Sequence, residues 1–382
     1  MSTPPLINLK VLDFSTLLPG PYATMMLADL GADVLRIEAP DRPDLLREAH
    51  VAAYEALNRN KRGMHLNLKI PAAVEIVKHL IQKYDIIIEQ FRPGVMKSLG
   101  LDYDTLQKEN PRLIYCSLTG YGQNGPLSNR AGHDINFMAL SGMNSFSGTQ
   151  EQGPSLLGVQ VGDVAGGSMF SVIGILSAVL HRDKTGEGQH VDVSMLDGTI
   201  AQTLISAVEW LEEKKNPDYE TGLFNGGSYY NNYRTKDGRY LSIAAMEPKF
   251  FKILLKVLEL PESFEIIDQV AFRDLVRQKI ITKTLAEWTA IFEPLDACVE
   301  PVLTMEEMEQ HPQVQARDMI IHMNKTDGTT QKQLAHPVKF SKSSPVYEHV
   351  GPVPGEHSEE VLQEFGYSAD EIKQFRDRGV LG

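Results

Sequence analysis

The first 120 residues alternate short apolar strands with helices, and this alternation constrains the fold more than any other feature. A buried-strand pattern is followed by the break Leu-Pro-Gly-Pro and by a helix that ends at Gly31. The predicted strands are 10–14, 33–38, 84–89, 112–118 and 190–193, and the predicted helices between them are 22–30, 72–82 and 168–181. We therefore predict a Rossmann-like α/β domain with a parallel sheet and helices on both faces.

The pattern changes after residue 213, where the polar stretch 214–222 contains Pro and Gly. Two hairpins are predicted beyond it, one around Asp237-Gly238 and one around Asp327-Gly328. We expect a smaller α+β domain at 225–334, a linker at 201–224, and a large domain formed by 1–200 and 335–382.

Composition excludes several classes of function. The 382 residues carry a net charge of −13, which argues against nucleic acid or an anionic membrane as the partner. Cys116 and Cys298 have no metal-type spacing and suggest a reducing compartment. The N-terminus does not look like a signal peptide, and no uninterrupted apolar run reaches transmembrane length. We expect a cytoplasmic protein.

Two polar positions lie at predicted helix starts. His133 and Asp134 follow Gly132 and precede an apolar helical pattern, and Asp163 follows Gly162 before a second one. Asp163 could simply cap its helix, and a lone histidine is usually a satisfied core or surface residue. Held at two helix starts, however, an imidazole and a carboxylate could face one cavity and move a proton.

The segment 58–62 is the densest basic cluster in this acidic chain. A solvated loop is the ordinary interpretation of such a cluster. The alternative is a phosphate clamp, since Arg and Lys give charge-assisted hydrogen bonds to phosphate oxygens. The sequence alone leaves both possibilities open.

The segment 120–125 matches the glycine pattern of dinucleotide-binding loops and follows a predicted strand. That mechanism requires a helix that starts inside the motif and directs its amides at a pyrophosphate. Here Pro126 follows at once, and no helical pattern appears until after Gly132. We therefore reject a nicotinamide site and expect a glycine-rich loop beside a ligand.

Glu247 also occupies an unusual position. It follows a predicted strand and precedes Pro248 at the first position of a helix, although Glu is a poor N-cap. A carboxylate at the end of a strand is often functional, but one such residue is weak evidence.

Taken together, several segments resemble the class III CoA-transferase family, and in particular its α-methylacyl-CoA racemase branch. The Gly-His-Asp-Ile-Asn-aromatic segment 132–137, the aspartate Asp163 and the Met-Glu-Pro segment 246–248 resemble the racemases rather than the transferases. The family-wide segments are 18–22, 27–34, 91–95, 99–103, 110–115, 120–123, 185–189, 191–194 and 355–358.

The resemblance implies a cofactor-independent racemase in which His133 and Asp163 exchange protons with the α-carbon of an acyl-CoA from opposite faces. It implies that Glu247 orients His133 and that the backbone N–H of Asp134 stabilises the enolate. It also implies an interlocked homodimer in which Glu247 reaches His133 across the subunit boundary. No metal or redox cofactor is expected.

For coenzyme A, the resemblance points to three segments of the chain and to one arginine that precedes them. The implied contacts are Arg36, Asn67, Leu68, Lys69, Gln90, Phe91, Arg92, Gly132, Ile135, Asn136 and Phe137. Two positions depart from the family pattern, because Ala39 and Ser98 stand where relatives often have arginine. The contacts to adenine and phosphate are therefore expected to differ.

Two alternatives remain open at this point. One is a CoA-transferase in which Asp163 is the nucleophile and forms an acyl anhydride. The other is a non-catalytic thioester-binding protein, suggested by Ala39 and Ser98. The acyl chain and the pathway are not apparent from the sequence.

Overall fold

The structure is a computed structural model that describes residues 3–262 and 268–382. The strands are β1 (Lys10–Phe14), β2 (Asp33–Glu38), β3 (Lys61–His65), β4 (Ile86–Glu89), β5 (Ile114–Thr119), β6 (Gly148–Thr149), β7 (Gly153–Pro154), β8 (His190–Ser194), β9 (Asn231–Arg234), β10 (Tyr240–Ile243), β11 (Val299–Pro301), β12 (Ile320–Asn324) and β13 (Thr330–Leu334).

The helices are α1 (Pro19–Asp29), α2 (Leu45–Ala49), α3 (Val51–Leu57), α4 (Pro71–Leu80), α5 (Val95–Ser98), α6 (Tyr103–Leu106), α7 (Asp134–Leu140), α8 (Met169–Thr185), α9 (Met195–Gln202), α10 (Leu204–Val208), α11 (Pro248–Val257), α12 (Gln269–Ile280), α13 (Leu285–Phe292), α14 (Met305–Gln310), α15 (Pro312–Ala316), α16 (Ser358–Glu364) and α17 (Ala369–Asp377). Two π-helical turns, Gly162–Ser168 and Glu209–Glu213, and the 3₁₀ turn Met143–Ser145 complete the described helices.

The chain divides into two compact units, one formed by 1–141, 158–202 and 317–382 and the other by 142–157 and 203–316. This division differs from the predicted boundaries in three places. The predicted linker 201–224 is not a separate segment, since 201–202 belong to the first unit and 203–224, with helix α10, belong to the second. The segment 142–157 belongs to the second unit, and the hairpin β12–β13 belongs to the first, where Lys325 forms an ion pair with Glu55.

The first unit contains a six-stranded sheet in the order β3-β2-β1-β4-β5-β8, and all its neighbouring strands are parallel. This is the Rossmann-like α/β fold predicted from the alternation. The chain first builds outward from β1 to β3 and then restarts on the other side of β1 with β4. Such a reversal leaves a crevice at the carboxyl ends of β1 and β4, where ligands of open α/β sheets bind.

Apolar side chains on the two faces of this sheet form separate cores. On one face, helices α4, α16 and α17 cover Leu12, Leu35 and Ile87. On the other face, α1 and α8 cover Val11, Ile86 and neighbouring side chains. Burial on both sides explains why these strands are nearly continuous apolar runs in the sequence.

The structure corrects the interpretation of the basic segment 58–62, which is neither a solvated loop nor a phosphate clamp. Arg59 is buried and forms a two-pronged ion pair with Asp29, and Lys61 begins strand β3. The buried Lys61 ammonium donates to Asp13 at 3.3 Å and to the carbonyl of Pro21 at 3.0 Å. These cations therefore join β3 to β1 and α1.

The second unit contains the antiparallel sheet β11-β10-β9, and the predicted turn at Asp237-Gly238 joins β9 to β10. Helices α11, α12 and α13 pack on this sheet around Trp288 and Phe272. Thr284 and Glu287 form a capping box that starts α13. This unit therefore has the α+β character predicted for the smaller domain.

One helical segment, 162–185, is long and apolar enough to cross a membrane by length and composition. This helix is longer than the predicted helix 168–181, because the π turn 162–168 continues directly into α8. Val172, Ile175 and Ala178 on this helix belong to the core beside the sheet. A core helix passes the same test of length and composition, so the finding is weak evidence for a membrane span.

Candidate active site

The start of α7 presents His133 and Asp134 as the sequence predicted. His133 has extended backbone angles at the N-cap, and its N–H donates to the Asn136 side-chain oxygen at 3.0 Å. This bond fixes the backbone of His133 and leaves its side chain exposed. Asn136, which the resemblance assigned to coenzyme A, thus has a local role in positioning His133.

Close packing explains the glycine before His133. A Cβ atom at Gly132 would lie 2.6 Å from the Tyr121 hydroxyl and 2.8 Å from the ring of Phe137. The two rings pack edge to face with centroids 5.3 Å apart. Phe137 is fully buried, so its side chain anchors α7 and is not available to a ligand, which corrects the predicted contact for this side chain.

Asp163 lies in the π-helical turn 162–168, against the start of α7. Its backbone N–H donates to the Asp134 carboxylate at 3.0 Å. A Cβ atom at Gly162 would lie 3.1 Å from the same carboxylate oxygen, so glycine permits this close approach. The structure therefore brings His133, Asp134 and Asp163 together, although they belong to two segments about thirty residues apart.

The local electrostatics raise the proton affinity of Asp163. Partial burial, and after it the neighbouring Asp134 carboxylate, raise the pKa of the Asp163 carboxyl to about 6, while His133 opposes the shift. A carboxyl group with this pKa is present in both protonation states near neutral pH. It can therefore either accept or donate a proton, as a general acid–base catalyst must.

Small residues hold the π turn in place. A Cβ at Gly166 would lie 2.8 Å from the Met195 carbonyl, and one at Gly198 would lie 2.0 Å from the Gly166 carbonyl. The Ser168 hydroxyl donates to the Pro19 carbonyl at 2.6 Å. Helix α9 and the start of α1 therefore fix the backbone that carries Asp163, and π turns are frequent at functional sites.

The predicted coenzyme A segments follow two strands of the sheet. Asn67, Leu68 and Lys69 follow β3, and the segment 90–92 follows β4. The Gln90 side-chain oxygen accepts a hydrogen bond from Gly20 N–H at 3.1 Å. This bond ties the loop after β4 to the start of α1, across the crevice between β1 and β4.

The structure contradicts a coenzyme A contact by the guanidinium group of Arg36. Its side chain is fully buried, and it donates to Asn58, Glu38 and Asp44. Burial would lower the pKa of Arg36, but Glu38, Asp44 and other nearby acidic groups raise it, so the group stays charged in place. The predicted contacts Lys69, Arg92 and Ile135 are exposed by contrast, and Lys69 pairs with Asp41 at 2.8 Å.

Sequence reasoning missed Glu89, the last residue of β4. Burial raises the pKa of its carboxyl to about 7, although hydrogen bonds from Ser117 and from Phe91 N–H act in the opposite direction. The bond from Phe91 N–H is 2.8 Å long. Glu89 therefore orders the backbone of the segment 90–92. Its position at the end of a buried strand was the only local sign of such a role.

Glu247 belongs to the second unit and stands at the N-cap of α11, before Pro248, as the sequence predicted. Its carbonyl accepts the N–H groups of Phe250 and Phe251. Its side chain is exposed, and it makes no side-chain cap hydrogen bond. The carboxylate is therefore accessible to a partner group.

The described residues do not form an obvious metal site here. In the residues that the structure describes, no group of three or more His, Cys, Asp and Glu side chains could hold a metal ion. The residues that come together instead are an imidazole, a carboxyl group of raised pKa and a helix start. They can remove a proton, return a proton and stabilise negative charge.

Comparisons with known proteins give matches over most of the chain. The model of CoA-transferase family III matches residues 6–358. The chain is 36% identical to α-methylacyl-CoA racemase of Homo sapiens over 98% of this chain and 97% of the relative. It is 34% identical to succinate–glutarate CoA-transferase of Agrobacterium fabrum, over 94% and 96% of the two chains.

Two solved structures are similar to this chain over nearly its whole length. A CaiB/BaiF family protein from Brucella suis matches with a TM-score of 0.83 and 28% identity, over 96% of this chain and all of that one. Rv3272 from Mycobacterium tuberculosis matches with a TM-score of 0.82 and 27% identity, over 94% and 99% of the two chains. The chain therefore belongs to CoA-transferase family III.

Proposed function

We propose that the protein is a racemase that inverts the α-carbon of 2-methylacyl-CoA thioesters through an enolate. In one direction Asp163 removes the α-proton and His133 returns one to the opposite face, and in the other direction the two roles exchange. The Asp134 N–H at the start of α7 stabilises the negative charge on the thioester oxygen. The reaction needs no group beyond the coenzyme A of the substrate.

One observation carries this proposal, namely the position of His133 beside an Asp163 whose carboxyl pKa is raised to about 6. A racemase needs both protonation states of each acid–base group, because the product of one direction is the substrate of the other. The identity to two mammalian α-methylacyl-CoA racemases over nearly the full length supports the same assignment.

The thioester would lie with its coenzyme A along the carboxyl edge of the parallel sheet. The loops after β1 and β4 meet at the reversal of strand order, which is the usual ligand position in such folds. Asn67, Leu68 and Lys69 follow β3. This strand is three positions from β4 in the sheet, or about 14 Å at ordinary strand spacing. We propose contacts from these residues and from Gln90, Phe91 and Arg92.

Deuterium exchange tests the proposal directly. Wild-type protein incubated with a 2-methylacyl-CoA in heavy water should incorporate deuterium at the α-carbon and invert the configuration. His133→Ala should slow inversion by roughly 10²–10⁴-fold, the range of general acid–base catalysis. Coenzyme A thioester binding without exchange in the wild-type protein would instead identify a non-catalytic binding protein.

A second candidate is CoA transfer, favoured by the identity to several CoA-transferases. In that reaction the Asp163 carboxylate attacks the thioester and forms an acyl anhydride. A nucleophile must be ionised, and a carboxyl group with a pKa of about 6 is mostly ionised at neutral pH, so the raised pKa of Asp163 does not exclude this role. Trapping with hydroxylamine or borohydride in the presence of acyl-CoA would modify Asp163 in a transferase and leave it intact in a racemase.

We further propose a cytoplasmic homodimer in which Glu247 of one chain orients His133 of the other. Exposed apolar side chains support an interface along α8 and α10, where Ile173 is 58% exposed and Leu204 is 66% exposed. Both cysteines are free in the structure, as expected in a reducing compartment.

Mixing two inactive variants tests the shared site. Chains with His133→Ala and chains with Glu247→Ala, refolded together, should regain about a quarter of wild-type activity, because half of the dimers would then hold one intact site of two. No recovery is expected if both residues act within one chain. Light scattering on each variant provides the control that the dimer persists.

A further inference from the structure

A cavity lies in the first unit, in contact with helix α1 and the segment 334–337. Its volume is ≈ 190 Å³. Most of the lining is apolar, and the side chains that provide it are Met25, Met26, Ala56, Leu57, Leu334, Ala335 and Pro337. None of these residues belongs to the proposed racemase site.

One polar group in this cavity is unsatisfied. His336 lines the cavity and is only 2% exposed, and its Nε2 atom has no hydrogen-bond partner among the described residues. Its Nδ1 accepts the Val338 N–H at 3.2 Å. In a neutral imidazole only one nitrogen is an acceptor, so Nε2 must carry the hydrogen. Burial lowers the pKa of His336, which is consistent with the neutral ring.

The other buried polar groups at this wall already have partners. Arg59 donates to both carboxylate oxygens of Asp29, at 2.8 and 2.6 Å, and to the Gln333 side chain at 3.1 Å. Asn60 also donates to Asp29, at 3.0 Å. Tyr22 is the lining residue that carries a hydroxyl group, and a buried water would need two to four polar partners. A donor without an acceptor in an apolar cavity is a site that a ligand can complete.

We propose that this cavity binds a small neutral molecule with a hydrocarbon body and one carbonyl oxygen that accepts the hydrogen bond from His336 Nε2. The size follows from comparison, because an engineered apolar cavity of about 150 Å³ binds benzene. A charged ligand is disfavoured. The charged side chains of the lining, Asp29 and Arg59, neutralise each other in an ion pair and leave no net charge for such a ligand.

Two matched probes separate the hydrogen bond from apolar packing. Cyclohexanone carries the acceptor, and methylcyclohexane has a similar shape without it. Titration of protein labelled with ¹⁵N-histidine should move the His336 Nε2 resonance with cyclohexanone and not with methylcyclohexane. His336→Phe should weaken cyclohexanone binding about tenfold and leave methylcyclohexane unchanged, as expected for loss of one hydrogen bond.

A filling variant locates the site. Met26→Trp should abolish binding of both probes, whereas Met305→Trp, an exposed position in the second unit, should not affect it. Equal affinity for the two probes, an unchanged Nε2 resonance, or binding that survives Met26→Trp would overturn the proposal. So would a crystal structure with an ordered water, or a side chain of a second copy, on Nε2. The resonance in the wild-type protein decides the matter if His336→Phe fails to fold.

Discussion

Two groups of charged residues in the first unit differ in how their charges are balanced. Beneath α1, buried cations form ion pairs with buried anions, Arg59 with Asp29 and Lys61 with Asp13. At the start of α7, the carboxylate of Asp134 lies beside the carboxyl group of Asp163, and the pKa of Asp163 rises. Balanced charges hold strands and helices together, whereas the like-charged pair leaves one group ready to exchange a proton.

The largest effect that would test this comparison is loss of the Asp163 carboxyl. Asp163→Asn should reduce racemisation by roughly 10²–10⁴-fold, because an amide cannot exchange the α-proton. Stability should not fall, since the variant removes a partly buried charge next to another carboxylate. Chiral analysis of the acyl group together with urea unfolding checks both expectations. A strongly destabilised variant would mean that Asp163 is structural, like the residues beneath α1.

The opposite outcome is expected for Asp29. Asp29→Ala leaves the buried Arg59 guanidinium without its anion and should lower the free energy of unfolding by about 3–5 kcal/mol. Asp41→Ala is the matched control, since Asp41 pairs with Lys69 at the surface, where solvent screens the pair, and its effect should be much smaller. Urea unfolding of the two variants measures the difference, and equal effects would contradict the assignment of the buried pairs.

Glu89 tests whether a buried carboxyl without a cation partner behaves like Asp163. Its folded pKa is about 7 against an ordinary value of 4.5, so the folded state holds the proton more tightly than the unfolded state. Stability should therefore fall as pH rises from about 4.5 to 7, by about 3 kcal/mol at 1.36 kcal/mol per pKa unit. Glu89→Gln should remove this dependence and preserve the acceptor for Phe91 N–H.

Unfolding free energies at pH 4.5 and 7.5 for wild type and Glu89→Gln provide the measurement. Identical pH dependence in the two proteins would mean that Glu89 is ionised in the folded state. The Michaelis constant for the thioester should change little in Glu89→Gln and rise in Glu89→Ala, which lacks the acceptor that orders the segment 90–92.

The sequence revealed the parts of this molecule that depend on local pattern. Apolar runs and turn residues predicted the parallel sheet and the hairpin at Asp237-Gly238, and the glycine before His133 marked a helix start. Strand β3 was missed because its first residues, Lys61 and Arg62, look like a solvated charge cluster. Their partners lie far away in the chain, so only the fold shows that they are paired.

The same limit applies within the site. Helical periodicity placed His133 and Asp163 at helix starts, but the bond from Asp163 N–H to the Asp134 carboxylate joins segments that no local pattern connects. Similarity to relatives suggested Arg36 as a ligand contact, and its burial with Glu38 and Asp44 contradicts this. A family motif indicates which residue types recur, whereas the surroundings of each side chain decide what it can touch.

The smallest expected effect distinguishes the charge of Asp134 from its hydrogen bond. After burial, the Asp134 carboxylate is the next cause of the raised pKa of Asp163, so Asp134→Asn should lower that pKa from about 6 while the amide oxygen still accepts Asp163 N–H. In the direction in which Asp163 removes the proton it must be ionised. The acid limb of kcat/KM should therefore move to lower pH, by up to about one unit.

Asp134→Ala loses the acceptor as well and should also lower kcat, whereas Asp370→Asn on the exposed surface of α17 should leave the profile in place. A limb that stays fixed in Asp134→Asn, or moves to higher pH, would show that burial alone sets the pKa of Asp163, and the contrast between balanced and unbalanced charge would then not explain the site.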